Sequence, residues 1–438
     1  MQTIIKQRIE QIKNGEIPEG YKRTKAGIIP EKWEIKKLSD VLKKQTQKNT
    51  NNEIQNVLTN SATQGIVCQT EYFDKQIANN ENTSGYYIVK PGYFVYNPRI
   101  SVSAPCGPFN RYNGDKDGIM SPLYSVYCFC DKSITYADYL TYYFSSSKWY
   151  AYMNSIANYG ARSDRMNVTG EDMNNMPIPY PPLPEQPKIV AILSAQDKVI
   201  ECYEKKIEQL KRMKKYYLQN MFPKRGETVP KIRFKGFTDP WEQRKLGEFG
   251  CSEGGTSIES EFSNAGKYKV ISIGSYSEES NYLDQGIRAK ESDKTNRRVL
   301  KQNDLTMILN DKTASGNIIG RVLFIDKSDV FVYNQRTEMI RPNTDEFHPK
   351  FLYHLLNAPT QREKIIKQSQ GNTQIYVNWS KISETTYMIP EIAEQKVISR
   401  YCDCIDNLIT LHQRKLEEEN KKKKALQQLL LTGIVRTN

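Results

Sequence analysis

The chain has 438 residues, with 63 Lys and Arg against 50 Asp and Glu and a formal charge of +13 at neutral pH. That length gives room for two or three domains, and the basic excess fits either a plain soluble protein or a polyanion partner, usually nucleic acid. Three histidines, His348, His354 and His412, exclude a His-rich metal centre, so no metal site is expected. Cys128/Cys130 and Cys402/Cys404 are CxC pairs, not the CxxC spacing of zinc or redox sites, so free thiols are expected. No basic-apolar leader or long apolar run occurs, which predicts a cytoplasmic chain without membrane contact.

In chain order, residues 1–30 supply a short amphipathic helix over 2–14 and a polar linker. Residues 31–180 predict a mixed α/β domain. Its strands fall near Asn56–Leu58, Tyr86–Val89, Tyr93–Tyr96 and Tyr124–Phe129, and one helix is predicted from Ala137 to Tyr152. Thr169-Gly170-Glu171-Asp172 has the form of a capping box.

Residues 181–225 then carry a stripe at steps of three and four, apolar but for one glutamine: Ile189, Ile192, Gln196, Val199, Tyr203, Ile207 and Leu210, followed by Tyr217 and Met221. Residues 388–438 repeat the pattern with Ile398, Tyr401, Ile405, Leu408, His412 and Leu416, then, past a charged stretch, Leu426 and Leu430. That rhythm is a coiled-coil seam, and about 35 helical residues make a rod roughly 50 Å long. Such a rod cannot bury its stripe alone; its natural partner is its own copy.

Residues 226–387 repeat the first domain. Trp33-Glu34 answers to Trp241-Glu242, Glu185-Gln186 to Glu394-Gln395, and Gly107 to Gly320. The loop at Gly160–Asn167 answers to Gly371–Asn378, and Asn97-Pro98-Arg99 is matched with Asn310-Asp311-Lys312. The period, about 210 residues, is far beyond that of solenoid repeats. The expected fold is therefore α+β: two similar mixed α/β domains separated by two long antiparallel coiled-coil helices, with pseudo-twofold symmetry.

Two like domains on a rod have the geometry of a dimeric DNA reader made from one chain. Arg and Lys suit guanine edges, and Asn and Gln suit adenine edges. The loops supply such side chains: Arg99, Arg111, Arg162, Arg165 and Asn167 in the first domain. The second supplies Asn310, Lys312, Asn317, Arg321, Gln335, Arg336, Gln374, Tyr376 and Asn378. Each is individually more often an ordinary solvated residue, and about half are expected to approach DNA, mostly at phosphates. No GxxxxGK[ST] loop, glycine-rich nucleotide fingerprint or Asn-Pro-Pro-aromatic methylation motif is present. A self-sufficient methylase or nuclease is therefore disfavoured, and a scaffold that does not read DNA is the other alternative.

The order of domain, Pro-Leu-Pro-Glu-Gln rod, domain, Glu-Gln rod resembles the specificity subunit of type I restriction–modification systems. The segments Gly20–Glu34 and Ile232–Glu242 are similar to that family's lead-in segments. The resemblance implies that each domain is a target recognition domain reading one half of a bipartite site in double-stranded DNA. It implies rods that set the gap and dock two methyltransferase subunits, which use S-adenosylmethionine. A separate restriction and translocase subunit would use ATP and magnesium. The chain itself would bind no cofactor and carry no catalysis.

Overall fold

The computed structural model describes residues 2–72, 83–131, 137–157, 164–224, 226–312 and 315–437. Arg162 and the loop tip around it lie outside them. Two compact units are formed, one from Met1–Cys202 with Lys415–Asn438, the other from Tyr203–Arg414. No helix among the described residues is long and apolar enough to cross a membrane.

The first unit is built on an antiparallel four-stranded sheet in the order Leu42–Gln45, Ser125–Phe129, Phe94–Tyr96, Phe109–Arg111. Its alternate residues point into an aromatic core in which Phe109 stacks on Phe144 at 4.0 Å and Trp149 is buried. Glu34–Lys37 pairs with Pro177–Tyr180, which brings the domain's two ends together at the root of the first long helix.

The predicted helix Ala137–Tyr152 is in fact two, Ala137–Ser145 and Tyr150–Ile156. The break is made by side chains that compete for the last carbonyls. Ser146 Oγ donates to Tyr143 O at 2.6 Å, and Trp149 Nε1 donates to Phe144 O at 3.0 Å. Thr169 accepts from Asp172 N at 3.1 Å and so starts the short helix Gly170–Asn174.

The second unit has the same sheet in the same order: Gly250–Gly254, Thr337–Pro342, Leu305–Ile308, Val322–Phe324. Its two helices, Pro349–Asn357 and Pro359–Ile366, are separated by a proline where the first unit uses side-chain bonds. It adds a mixed three-stranded sheet of Arg288–Ala289, Tyr268–Ile271 and Phe331–Tyr333 with its own small core.

The repeated Glu-Gln dipeptides are structural. Gln186 Nε2 donates to Pro181 O at 3.0 Å, and Gln395 Nε2 to Pro390 O at 2.9 Å, so each glutamine ties its helix start to the preceding turn. Pro187 sits in the first helical turn, where its missing N–H costs nothing. Glu394 is buried and receives Arg233 Nε and Nη2 at 2.9 and 2.8 Å.

In the first unit Glu185 receives Trp33 Nε1 at 3.0 Å and Arg436 at 2.8 and 2.9 Å. The arginine here comes from the chain's last residues, since the second long helix ends at Leu430 and the tail turns back. Gly433 makes this possible: its φ is +68°, and a Cβ there would meet Pro30 Cγ at 2.4 Å. Glu394→Ala leaves Arg233 with the Asp239 carbonyl but no carboxylate in a poorly solvated site, with an expected loss of about 3 kcal/mol in a urea titration of the full chain. A loss below about 0.5 kcal/mol would show the pair to be ornamental.

The first long helix, Gln186–Asn220, and the second, Ile392–Leu430, pair antiparallel in both units. In the first unit Ile189, Val190 and Leu193 share a core with Leu430, and Lys423 Nζ lies 2.6 Å from Asp197. In the second, Leu210 packs with Ile405 and Ile409, Tyr217 meets Tyr401, and Lys214 Nζ lies 2.5 Å from Asp406.

The seam predicted from sequence is partly out of phase. Ile192, Val199 and Leu408 are 39%, 41% and 38% exposed, while Leu193, Ile200, Cys402 and Ile409 are buried. One position along a helix is a turn of about 100°, so each of the three exposed residues lies beside the seam. Ile189, Ile207, Leu210, Ile398 and Ile405 are buried, and Tyr203, Tyr401, Leu416 and Leu426 are half-buried.

Candidate nucleic-acid interface

Strand Phe94–Tyr96 continues through Asn97 into a loop that is held from the other side. Arg99 pairs with Arg165 as an isolated antiparallel bridge, with Met166 N on Pro98 O at 2.9 Å and Ile100 N on Asp164 O at 3.0 Å. The two arginines thus stand together at a cleft of about 480 Å³ whose floor is Asn60 with Ser61 and Asn97.

The floor is rigid. Asn60 donates to Val95 O at 2.8 Å and accepts from Asn110 Nδ2 at 2.8 Å, while Asn97 Nδ2 donates to Asn60 O at 3.1 Å. The Arg99 side chain is 70% exposed, with Asp164 at 3.9 Å as a loose counter-charge. Asn167 is exposed just past the bridge.

Arg111 is elsewhere: it lines a separate hollow of about 880 Å³ and is held by Asp138 at 2.6 Å. Asn60, Asn97 and Asn110 were missed from sequence. Asn97 stands out only as a point of repeat likeness, and a lone asparagine in or beside a strand carries no pattern.

The second unit builds the same bridge from different chemistry. Asn310 pairs with Tyr376, Val377 N donates to Leu309 O at 2.9 Å, and Leu309 N donates to Arg336 O at 2.9 Å. Backbone pairing therefore sets Arg99 against Asn310 and Arg165 against Tyr376. The sequence match of Asn97-Pro98-Arg99 with Asn310-Asp311-Lys312 was two residues out, because shared Asn identity outweighed the strand register.

Lys312, Gln335 and Arg336 line a hollow of about 320 Å³. Arg336 holds φ +69°, a left-handed conformation costing a non-glycine residue about 1 kcal/mol. Tyr376 is 38% exposed, and Gln374 and Asn378 are exposed beside it. Asn317 and Arg321 do not join this group. Asn317 donates to Glu278 at 2.8 Å, and Arg321 donates to Ser280 Oγ at 3.1 Å in a hollow shared with Lys214 and Asp406. Burial holds the Arg321 guanidinium below its ordinary pKa.

Just after Arg336, Glu338 is buried on the central strand, and burial raises its carboxyl to about 7, with the Ser252 hydroxyl opposing and Glu253 adding. A carboxyl raised in the fold keeps its proton where the unfolded chain has lost it. Stability therefore falls as pH rises from the ordinary carboxylate range through about 7. Glu338→Gln is expected to gain about 1–3 kcal/mol over the natural chain at pH 8 and nothing at pH 4.5. Thermal unfolding at both pH values checks this, and an offset independent of pH would contradict it.

Between the two long helices, the facing positions of the two units correspond at one sequence offset, but not all of them carry the same contact. Asp197–Lys423 in the first unit answers to Asp406–Lys214 in the second, so each unit carries the same ion pair between its parts of the two helices. In the second unit Tyr203 faces His412 with ring centroids 5.8 Å apart. The third layer differs: Gln196 Nε2 donates to Glu419 Oε2 at 2.6 Å in the first unit, where the second has Leu210 and Ile405. The Gln196 amide and Lys422 hold the Glu419 carboxyl below its ordinary range.

Comparison with known proteins adds a family and a fold. The family model described as the type I restriction modification DNA specificity domain matches twice, at residues 30–212 and 238–420. The type I restriction enzyme MjaVIII specificity subunit of Methanocaldococcus jannaschii is 29% identical over 62% of this chain and 64% of its own length. The chain thus spans a little under two thirds of that relative. The putative MjaX specificity subunit of the same organism is 23% identical over 95% of this chain and 97% of its own. A solved chain from work on complex assembly and conformational transition of the type I R-M system shares the fold. Its TM-score is 0.59 at 16% identity, covering 93% of this chain and 99% of that one.

Proposed function

Because the chain belongs to the type I restriction modification DNA specificity family, we propose that it is the DNA-reading subunit of a type I restriction–modification complex. Each domain reads one half of a bipartite site in double-stranded DNA. The observation that carries this is the repeated bridge: one backbone frame presents Arg99 and Arg165 in the first unit but Asn310 and Tyr376 in the second. Paired arginines suit guanine edges and phosphates, an asparagine suits adenine, and a half-exposed tyrosine offers a face for stacking or thymine methyl contact. A frame kept twice with unlike readers is what two different half-sites require.

On this reading the long helices set the gap between half-sites and dock two methyltransferase subunits. Those partners use S-adenosylmethionine to methylate adenine, and a restriction and translocase subunit uses ATP and magnesium. The chain contributes recognition and no catalysis, and works in the cytoplasm. Hydroxyl-radical footprinting of the chain in complex with its methyltransferase partner tests this. Two protected patches separated by an unprotected gap are expected, and a single continuous footprint would overturn the reading.

A further inference from the structure

The layers of the helix seam divide into those that are the same at both ends and one that is not. If one first helix paired antiparallel with another first helix, Asp197 would still meet a lysine, Lys214 of its copy. Two second helices would likewise set Asp406 against Lys423. The ion pairs therefore fix register and direction but cannot tell the correct pairing from a self-pairing. The unequal layer can. Gln196 meets Glu419 through a 2.6 Å bond, and Leu210 meets Ile405 in an apolar cluster. Self-pairing of first helices would set Gln196 against Leu210 twice, so that each buried amide loses its carboxylate acceptor and keeps only a backbone carbonyl, like the 3.2 Å contact it now makes to Glu419 O. Self-pairing of second helices would set the part-exposed Glu419 against Ile405 twice, taking the Gln196 amide away from a carboxylate and leaving an apolar side chain in its place.

From this we infer that the Gln196–Glu419 layer is a pairing code: it fits the first helix to a second helix and rejects a second copy of the same helix. The seam thereby prevents mixed assemblies in which two chains join through like helices. A single buried polar layer performs this service in coiled coils at some expense in stability. Its place explains why the second helix interrupts its apolar stripe at Glu419. It also explains why the first carries Gln196 where its repeat has Ile405.

The test uses the full chain, produced together in two differently tagged forms, and measures mixed-tag recovery, mass by light scattering and thermal unfolding. The natural chain is expected to give little mixed species. Gln196→Ile with Glu419→Leu makes this layer apolar in both units, and should raise mixed-tag recovery about tenfold, as loss of one discriminating layer predicts. Gln196→Glu with Glu419→Gln keeps the layer and should behave as the natural chain. If the apolar pair proves hard to fold, the single changes decide: each alone should lower the melting temperature more than their combination does. Free mixing of the natural chain, no rise in the apolar variant, or strictly additive losses would each overturn the proposal.

Discussion

Replacing residues 31–180 by the corresponding domain of another family member changes one half of the methylated sequence and leaves the other half as it was. The expectation follows from the separateness of the two frames: each unit has its own four-stranded sheet, aromatic core and bridge. Single changes sharpen it. Arg165→Ala removes a guanidinium from the first unit's cleft, and on the proposed reading is expected to cost about 1–3 kcal/mol of discrimination at one position of one half-site. Asn310→Ala should do the same in the other half and nowhere else. The measurement is the methylated motif recovered by single-molecule sequencing of cells that carry each variant. A change spread over both halves would mean that the domains do not read independently.

Four residues inserted in both long helices, beside Tyr203 and beside His412, should widen the gap between half-sites by one or two base pairs. The rise is about 6 Å, near two steps of about 3.4 Å. The added rotation, about 40° beyond a full turn, is nearer the twist of a single step at about 10.5 base pairs per turn. Placing the insertion at the centre leaves Asp197–Lys423 and Asp406–Lys214 in register with their own neighbours. An active complex with an unchanged gap would remove the ruler role from the helices.

How much of this was legible in the sequence depends on what kind of residue carried the signal. The duplication was visible because it is written in structural residues: Trp33 and Trp241 fill the same buried place, and Glu185 and Glu394 anchor an arginine in each unit. The arginine itself was not visible as a repeat, since Arg233 stands ahead of Trp241 while Arg436 follows the second long helix.

The seam's phase was ambiguous wherever two apolar residues are adjacent. Ile192 with Leu193 and Val199 with Ile200 offer two stripes about 100° apart, and only packing against the other helix chooses between them. The candidate DNA-contacting residues separate into two kinds. Arg99 and Arg165 are brought to one cleft, and Lys312, Gln335 and Arg336 to one hollow. Arg111, Asn317 and Arg321 are engaged by Asp138, Glu278 and Ser280. No spacing rule distinguishes a bound polar side chain from a free one, since the partner lies 27 to 41 residues away in the chain.

The central claim, that one chain reads two different half-sites at a fixed separation, is tested most directly by sequencing adenine methylation in cells with and without this chain. The account predicts a motif of two unlike specific parts flanking a constant unspecified gap, present with the chain and lost without it. A continuous motif, two identical halves, or methylation that persists unchanged when the chain is removed would contradict it.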